Sequence, residues 1–279
     1  MTSRNAAQYL VAFVILGLLT SCSSTEIRDG SPSGGSASIP RLPDDPIPRP
    51  EPKSRHGNAP VYEVFGKHYT VMDSASGYHE RGVASWYGKK FHGNPTSMGE
   101  TYDMYEMTAA HKSLPLPTYV RVRNLRNNKT VVVRVNDRGP FVHNRIIDLS
   151  YYAAVKLDMI GTGTSLVDVE AITFDGPTGD RSTRQVTPPS AEPPTPAAVS
   201  KPHQVFVQIG AFGSRDNANR RIALLRSGGI GTGFIHEDTS ANPPLFRVRM
   251  GPIRSVGQYD MLVEELDKLG IADPILVTE

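Results

Sequence analysis

Among 279 residues there is one cysteine, Cys22, and one tryptophan, Trp86. A lone thiol excludes an internal disulfide framework, and without paired CxxC or HExxH spacings His92, His111 and His143 form no metal-ligand pattern. Nothing in the chain calls for a metal or another cofactor. One-signed charge is equally scarce: 30 basic residues against 28 acidic ones leave +2, far from the basic balance that nucleic acid demands. Long apolar runs are missing too. Residues 9–19, behind a sparse basic start at Arg4, are too few to span a bilayer comfortably as a mature helix, and they have the pattern of a secretion signal.

That apolar run ends in Leu19-Thr20-Ser21-Cys22, which resembles the lipobox of bacterial lipoproteins. The resemblance implies removal of residues 1–21 and lipidation of Cys22. Ser23 is not the acidic residue that retains many such lipoproteins in the inner membrane, so the expected location is the periplasmic face of the outer membrane.

At about 150 residues per domain the length allows two folded units, and two proline-rich stretches separate them. Residues 22–59 read as a disordered tether, 60–176 as a first folded block, 177–202 as a linker containing TPPSAEPPTPAAVSKP, and 203–279 as a second block. In the first block, β-rich segments at 83–87, 119–124, 130–135, 146–149 and 168–174 alternate with turn signals, so it is expected to be mainly β. Asp148 or Ser150 is placed to cap a short helix over 151–157, which Gly161 and Gly163 stop. The second block is expected to be α+β. Its strands lie at 205–209, 233–236 and 246–250, with helices over 216–227 and 255–269 and a last short strand. It forms a weak βαβ repeat that suggests a small sheet with two helices on one face.

The chemistry concentrates in the run VVVRVNDRGPFVHNRIIDLS, residues 131–150. Its β-branched start makes a buried strand, and Asn136 to Pro140 then break it, which puts Asp137 on the end of a rigid element. Taken alone, Asp137 is as readily an ordinary turn aspartate. Glu100 is a second carboxylate, and a glycan-cleaving site uses such a pair as proton donor and charge stabiliser. Arg138 is too basic to give up a proton and reads as a structural or substrate-clamping partner. Strand alternation puts Trp86 and Tyr87 on opposite faces, so at most one is core and Trp86 is a candidate for stacking on sugar.

The segments Ala84-Ser85-Trp86-Tyr87-Gly88, Phe91-His92-Gly93, Gly99-Glu100, Thr108-Ala109-Ala110-His111, 136–141 and 145–150 occur in the order and spacing of a known family. In these the first block resembles the rare lipoprotein A family of bacterial lytic transglycosylases. The resemblance implies a six-stranded double-psi β-barrel with Asp137 as catalytic acid/base, Glu100 assisting and His111 in the site. It also implies cleavage of the MurNAc–GlcNAc β-1,4 bond of peptidoglycan without water, leaving 1,6-anhydro ends. Two residues depart from the family pattern: Met98 stands where a small or hydroxyl residue usually precedes Gly99-Glu100, and Asn144 where glycine often precedes Arg145.

The second block is similar to the SPOR domain through residues 207–212, the helix carrying Ala218, and residues 246–252. By that resemblance it binds denuded glycan strands at the division septum, with Gln208, Phe212, Arg247 and Arg249 as candidates for the binding face. Septal division proteins are further expected partners, and nucleic acid is not. Two rival readings remain open at this point: a non-catalytic peptidoglycan-binding lipoprotein, and a glycoside hydrolase that uses water.

Overall fold

A computed structural model describes residues 30–32, 42–142, 144–174, 204–272 and 274–279. The expected lipidation at Cys22 and the expected linker at 177–202 lie outside them. A hairpin comes first, β1 (Val61–Val64) and β2 (Lys67–Thr70), joined by Phe65 and Gly66 at φ 51° and 75°. Two consecutive left-handed residues match the twist of a tight hairpin.

Six strands then close the barrel: β3 (His79–Tyr87), β4 (Thr108–His111), β5 (Thr118–Asn124), β6 (Thr130–Asp137), β7 (Arg145–Ser150) and β8 (Ser165–Ile172). Their order is β3-β7-β4-β6-β5-β8; β3 pairs with β7 and β4 with β6 in parallel, and the other neighbours are antiparallel. Every second residue fills the interior. Val131, Val133 and Val135 of β6, Val120 and Val122 of β5, and Ile147 and Leu149 of β7 are all buried. Each such side chain contributes roughly 1.5–3 kcal/mol, and this is the expected mainly-β block.

The strands differ from the sequence expectation in several places: β1 and β2 are not among the expected strands, and β3 begins at His79, before the expected 83. β4 is an additional strand: its Ala109 and Ala110 have weak β propensity, and only the neighbours β6 and β7 make it one. β8 starts at Ser165, before the expected 168, because Leu166 and Val167 are already buried. Helix α1 (Tyr151–Lys156) is capped by Ser150, whose Oγ accepts from the Ala153 amide at 3.3 Å, so Asp148 is free of that task.

Residues 42–59, expected to belong to a tether, lie against the barrel. Leu42 packs on its core, Asp45 accepts from the Val132 amide at 2.7 Å, and Ser54 donates to the Leu116 carbonyl at 2.8 Å.

The second block has strands β9 (Val205–Phe212), β10 (Gly233–Asp238), β11 (Leu245–Ile253) and β12 (Ile275–Thr278), with helices α2 (Arg215–Ser227) and α3 (Val256–Lys268). The antiparallel sheet runs β10-β11-β9-β12, so the two βαβ halves interleave. Ala218, Ile222 and Leu225 of α2, and Tyr259, Leu262, Val263 and Leu266 of α3, are the buried helical stripes. Val83 and Leu166 alternate with barrel-core residues and join this second core with Leu125; Arg145 pairs with Asp260 at 3.2 Å.

Candidate active site

A β-bulge aims Asp137. Along β4 and β6, Thr108 pairs with Arg134 and Ala109 with Val135, but Ala110 pairs with Asp137, leaving Asn136 as the extra residue. In strict alternation Asp137 would follow Val135 into the apolar interior. The bulge turns it to the outer face, with Ala110, and bulges beside active sites commonly re-aim a side chain in this way.

The loop following β3 supplies the rest. Its turn at 96–100 is tied by the Thr96 amide donating to the Glu100 carbonyl at 2.7 Å, with Gly99 at φ 90°. Ser97 on this turn donates to Asp137 Oδ1 from its amide at 2.7 Å and its hydroxyl at 2.6 Å, and the Arg138 amide adds a third bond at 2.8 Å. Oδ1 is thereby saturated. No donor among the described residues reaches Oδ2, so a proton exchanged with a ligand belongs on that oxygen. The same turn carries Glu100, whose carboxylate takes Arg134 Nη1 at 2.9 and 3.0 Å and Asn136 Nδ2 at 2.8 Å. One five-residue turn therefore holds both acids of the expected pair.

Asp148 is a third carboxylate on this face. It pairs with Ala110 across β7 and β4, as Asp137 does from the other side, so the two aspartates flank a small alanine at roughly 9–10 Å between α-carbons. Ser85 Oγ donates to Asp148 Oδ1 at 2.5 Å, and Oδ2 lies 3.8 Å from where a Cβ on Gly139 would sit. In the sequence Asp148 reads as a second acid or equally as a helix cap, and its place opposite Ala110 is visible only in the register.

Tyr87 lies beneath, stacked on Tyr102 with ring centroids 4.1 Å apart. Burial, then the neighbouring Tyr102, Asp137 and Asp148, push its phenol well above the ordinary range. Among the described residues the buried side-chain atoms without a hydrogen-bond partner are Tyr87 Oη, Thr96 Oγ1, Thr108 Oγ1 and Asn136 Oδ1. All four line this one region, whereas buried polar atoms are elsewhere paired as usual.

The ring of His111 is not brought to the acids. His111 pairs with core residue Ile147, one step along β4 from Ala110, and so faces the opposite side. Its Nδ1 accepts from the amides of Ser113 and Leu114 at 3.1 and 3.0 Å, which leaves the proton on Nε2 to donate to Tyr78 Oη at 2.7 Å. Burial, reinforced by Arg138 and Lys112, lowers its pKa to about 3. It is a neutral brace for the 111–114 turn.

Arg138 spends its donors on three backbone carbonyls and one side-chain amide: Nε on the Gly57 carbonyl at 2.7 Å, Nη1 on those of His111 and Leu114 at 3.1 and 2.6 Å, and Nη2 on Asn58 Oδ1 at 3.1 Å. This is the structural alternative; the guanidinium clamps loops. Trp86 is half-buried and tilts against Tyr151 with ring centroids 5.7 Å apart, on the face opposite Ser85 and Tyr87. Of the two departures from the family pattern, Asn144 takes φ 61°, the left-handed conformation that glycine would supply, and Met98 packs on the core with Sδ 4.0 Å from Arg134 Nη2.

In the second block Gln208 and Arg249 are buried and joined at 3.3 Å, and Arg249 also holds Glu279. Arg247 holds Asp238 at 2.6 Å; bonds from Ser240 and Arg247 bring that carboxyl down to about 2. Phe212 lies under Arg221, 5.8 Å from its guanidinium.

The barrel matches the family model described as lytic transglycolase over residues 79–169, and the second block matches the SPOR domain model over residues 202–278. The chain is 38% identical over 291 aligned residues to the endolytic peptidoglycan transglycosylase RlpA of Pseudomonas aeruginosa strain UCBPP-PA14, covering 90% of this chain and 84% of that one. To RlpA of Vibrio cholerae it is 49% identical over 177 residues, 62% of this chain and 66% of the relative. Among solved structures, the SPOR domain of RlpA from Pseudomonas aeruginosa shares 29% identity at a TM-score of 0.25, over 26% of this chain and 96% of that one. Because the identity to the Pseudomonas protein runs through both folded blocks and not through the barrel alone, the chain belongs to the RlpA family of endolytic peptidoglycan transglycosylases.

Proposed function

We propose that the chain is a peptidoglycan lytic transglycosylase that cuts the MurNAc–GlcNAc β-1,4 bond of denuded strands. The observation that carries this reading is the single turn at 96–100, which holds Asp137 by one oxygen and bears Glu100. Asp137 Oδ2 donates its proton to the glycosidic oxygen as the C1–O bond breaks. The same oxygen then takes a proton from the MurNAc 6-hydroxyl as that hydroxyl closes on C1, so protons balance and no water is consumed. Glu100, ion-paired with Arg134 at 2.9 Å, supplies negative charge to an oxocarbenium-like transition state. Asp148 forms the far wall of the groove across Ala110. His111 contributes by bracing the turn that Arg138 also holds.

The SPOR domain keeps the enzyme on the same polymer at the division septum, and lipid on Cys22 holds it at the outer membrane's periplasmic face. Incubation with glycan lacking stem peptides should release 1,6-anhydro-ended products by mass spectrometry, and Asp137→Asn should lower that release by about 10²–10⁴-fold. Reducing ends would instead mean a water-using hydrolase. No product, with equal binding by wild type and Asp137→Asn, would mean a binding protein.

A further inference from the structure

Residues 42–58 precede the matched barrel segment, which begins at residue 79, yet three of them reach the acid pair's immediate supports. Glu51 takes Arg134 Nε at 3.1 Å and Nη2 at 2.8 Å, and it also accepts from Tyr119 Oη at 2.5 Å. Arg134 Nη1 is left for both oxygens of Glu100. The guanidinium is thus held along one edge by Glu51 and presented by its other nitrogen to Glu100. The side chains of Glu51 and Arg134 are 17% and 18% exposed, so water replaces little of this pairing.

Gly57 and Asn58 act on the other acid. They accept two of the Arg138 bonds directly after Asp137, and Asn58 is itself fixed by the Leu116 amide at 2.8 Å. Gly57, at φ 75°, lies so close to Ser97 that a Cβ would stand 2.9 Å from the Ser97 carbonyl oxygen. Ser97 is the residue that binds Asp137 Oδ1. Prolines at 43, 46, 48, 50 and 52 suit an extended path and reduce the entropy lost in laying this segment down.

We infer that residues 42–58 form a positioning strap for the active site, with Glu51 acting through Arg134 to place and electrostatically tune Glu100. This rests on the proposed glycan-cleaving role of the site. Glu51 is a positioning residue, since its reach to substrate is through Arg134. A carboxylate there offsets part of the Arg134 charge felt by Glu100 and fixes one edge of the guanidinium; removing it frees Arg134 to shift against Glu100.

The test is Glu51→Gln in the full chain, which keeps size and a hydrogen-bonding oxygen for Tyr119, with Glu51→Asp as the charge-conserving rescue. Per folded molecule, Glu51→Gln should lower kcat on denuded glycan by about 5- to 20-fold with KM changed less than about twofold, and Glu51→Asp should recover part of the loss. The Arg134 Nε–H signal in nitrogen-15 NMR reads the same contact without turnover, and Glu51→Gln should shift and broaden it while the rest of the folded spectrum is kept. An unchanged Arg134 signal overturns the strap, as does a kcat loss that only tracks the unfolded fraction. Wild type releasing no anhydro ends while the Arg134 signal still shifts in Glu51→Gln refutes the activity and leaves the strap supported.

Discussion

At Asp137 the partition of donors between its two oxygens decides what the residue can do. Three bonds converge on Oδ1, two of them from Ser97, so the geometry of Oδ2 depends on a side chain forty positions away. Ser97→Ala removes the 2.6 Å bond and keeps the amide one. It should lower turnover by about 10-fold with KM nearly unchanged, because the acid stays present but loosely held; steady-state kinetics on denuded glycan checks this, and an unaltered kcat would refute it. His111 makes a different prediction. Its pKa is near 3 in the folded barrel against 6.5 when unfolded, chiefly through burial. Below about pH 6.5 the unfolded chain binds a proton that the folded chain refuses. The stability His111 contributes is therefore complete above that pH and falls toward pH 3 at about 1.4 kcal/mol per pH unit. Urea unfolding at pH 7 and pH 5 should show the loss, and His111→Gln should flatten it.

Among the elements, the bulge between β4 and β6 matters most for the site. Deleting Asn136 would restore regular pairing with Asp137 still opposite Ala110, but it removes the 2.8 Å bond from Asn136 Nδ2 to Glu100 and draws Asp137 back by one residue from Ser97. Loss of that charge-assisted bond and misplacement of the acid relative to Ser97 should cut both stability and activity. Asn136→Gly should keep the bulge and most of the stability; thermal melts of the two variants separate the cases, and a stable, active deletion would show that the bulge is dispensable. This element also marks where the sequence was legible and where it was not. The β-branched run of β6 and the turn formers after it were readable as a strand ending in an acid. The face on which that acid emerges was not, since period-two alternation alone points Asp137 inward. β4 escaped for a related reason: four residues with two alanines become a strand only between β6 and β7. Asp148 read as a cap candidate, and only its register opposite Ala110 puts it on the groove wall.

Across the whole molecule, the two blocks share an apolar seam at Val83, Leu125 and Leu166 and an ion pair between Arg145 and Asp260. Removing 204–279 should lower the barrel's melting temperature by exposing that seam. It should also leave cleavage of short soluble glycans within a few-fold per folded molecule while lowering cleavage of intact sacculi by about 10- to 100-fold, since a linked second contact raises local concentration. Equal losses on both substrates would assign the second block a direct part in catalysis.

The sequence by itself determined the class of element in each block, the pairing of Asp137 with Glu100 as the acids to consider, and the family, because composition, periodicity and motif spacing are local properties. Only the tertiary structure decided which side chains share a space. Burial and register set His111 apart from the acids, turned Arg138 into a clasp for carbonyls, and brought Glu51 from a proline-rich segment onto Arg134. Those outcomes rest on contacts between residues 24 to 83 positions apart, and no local pattern encodes a contact of that range.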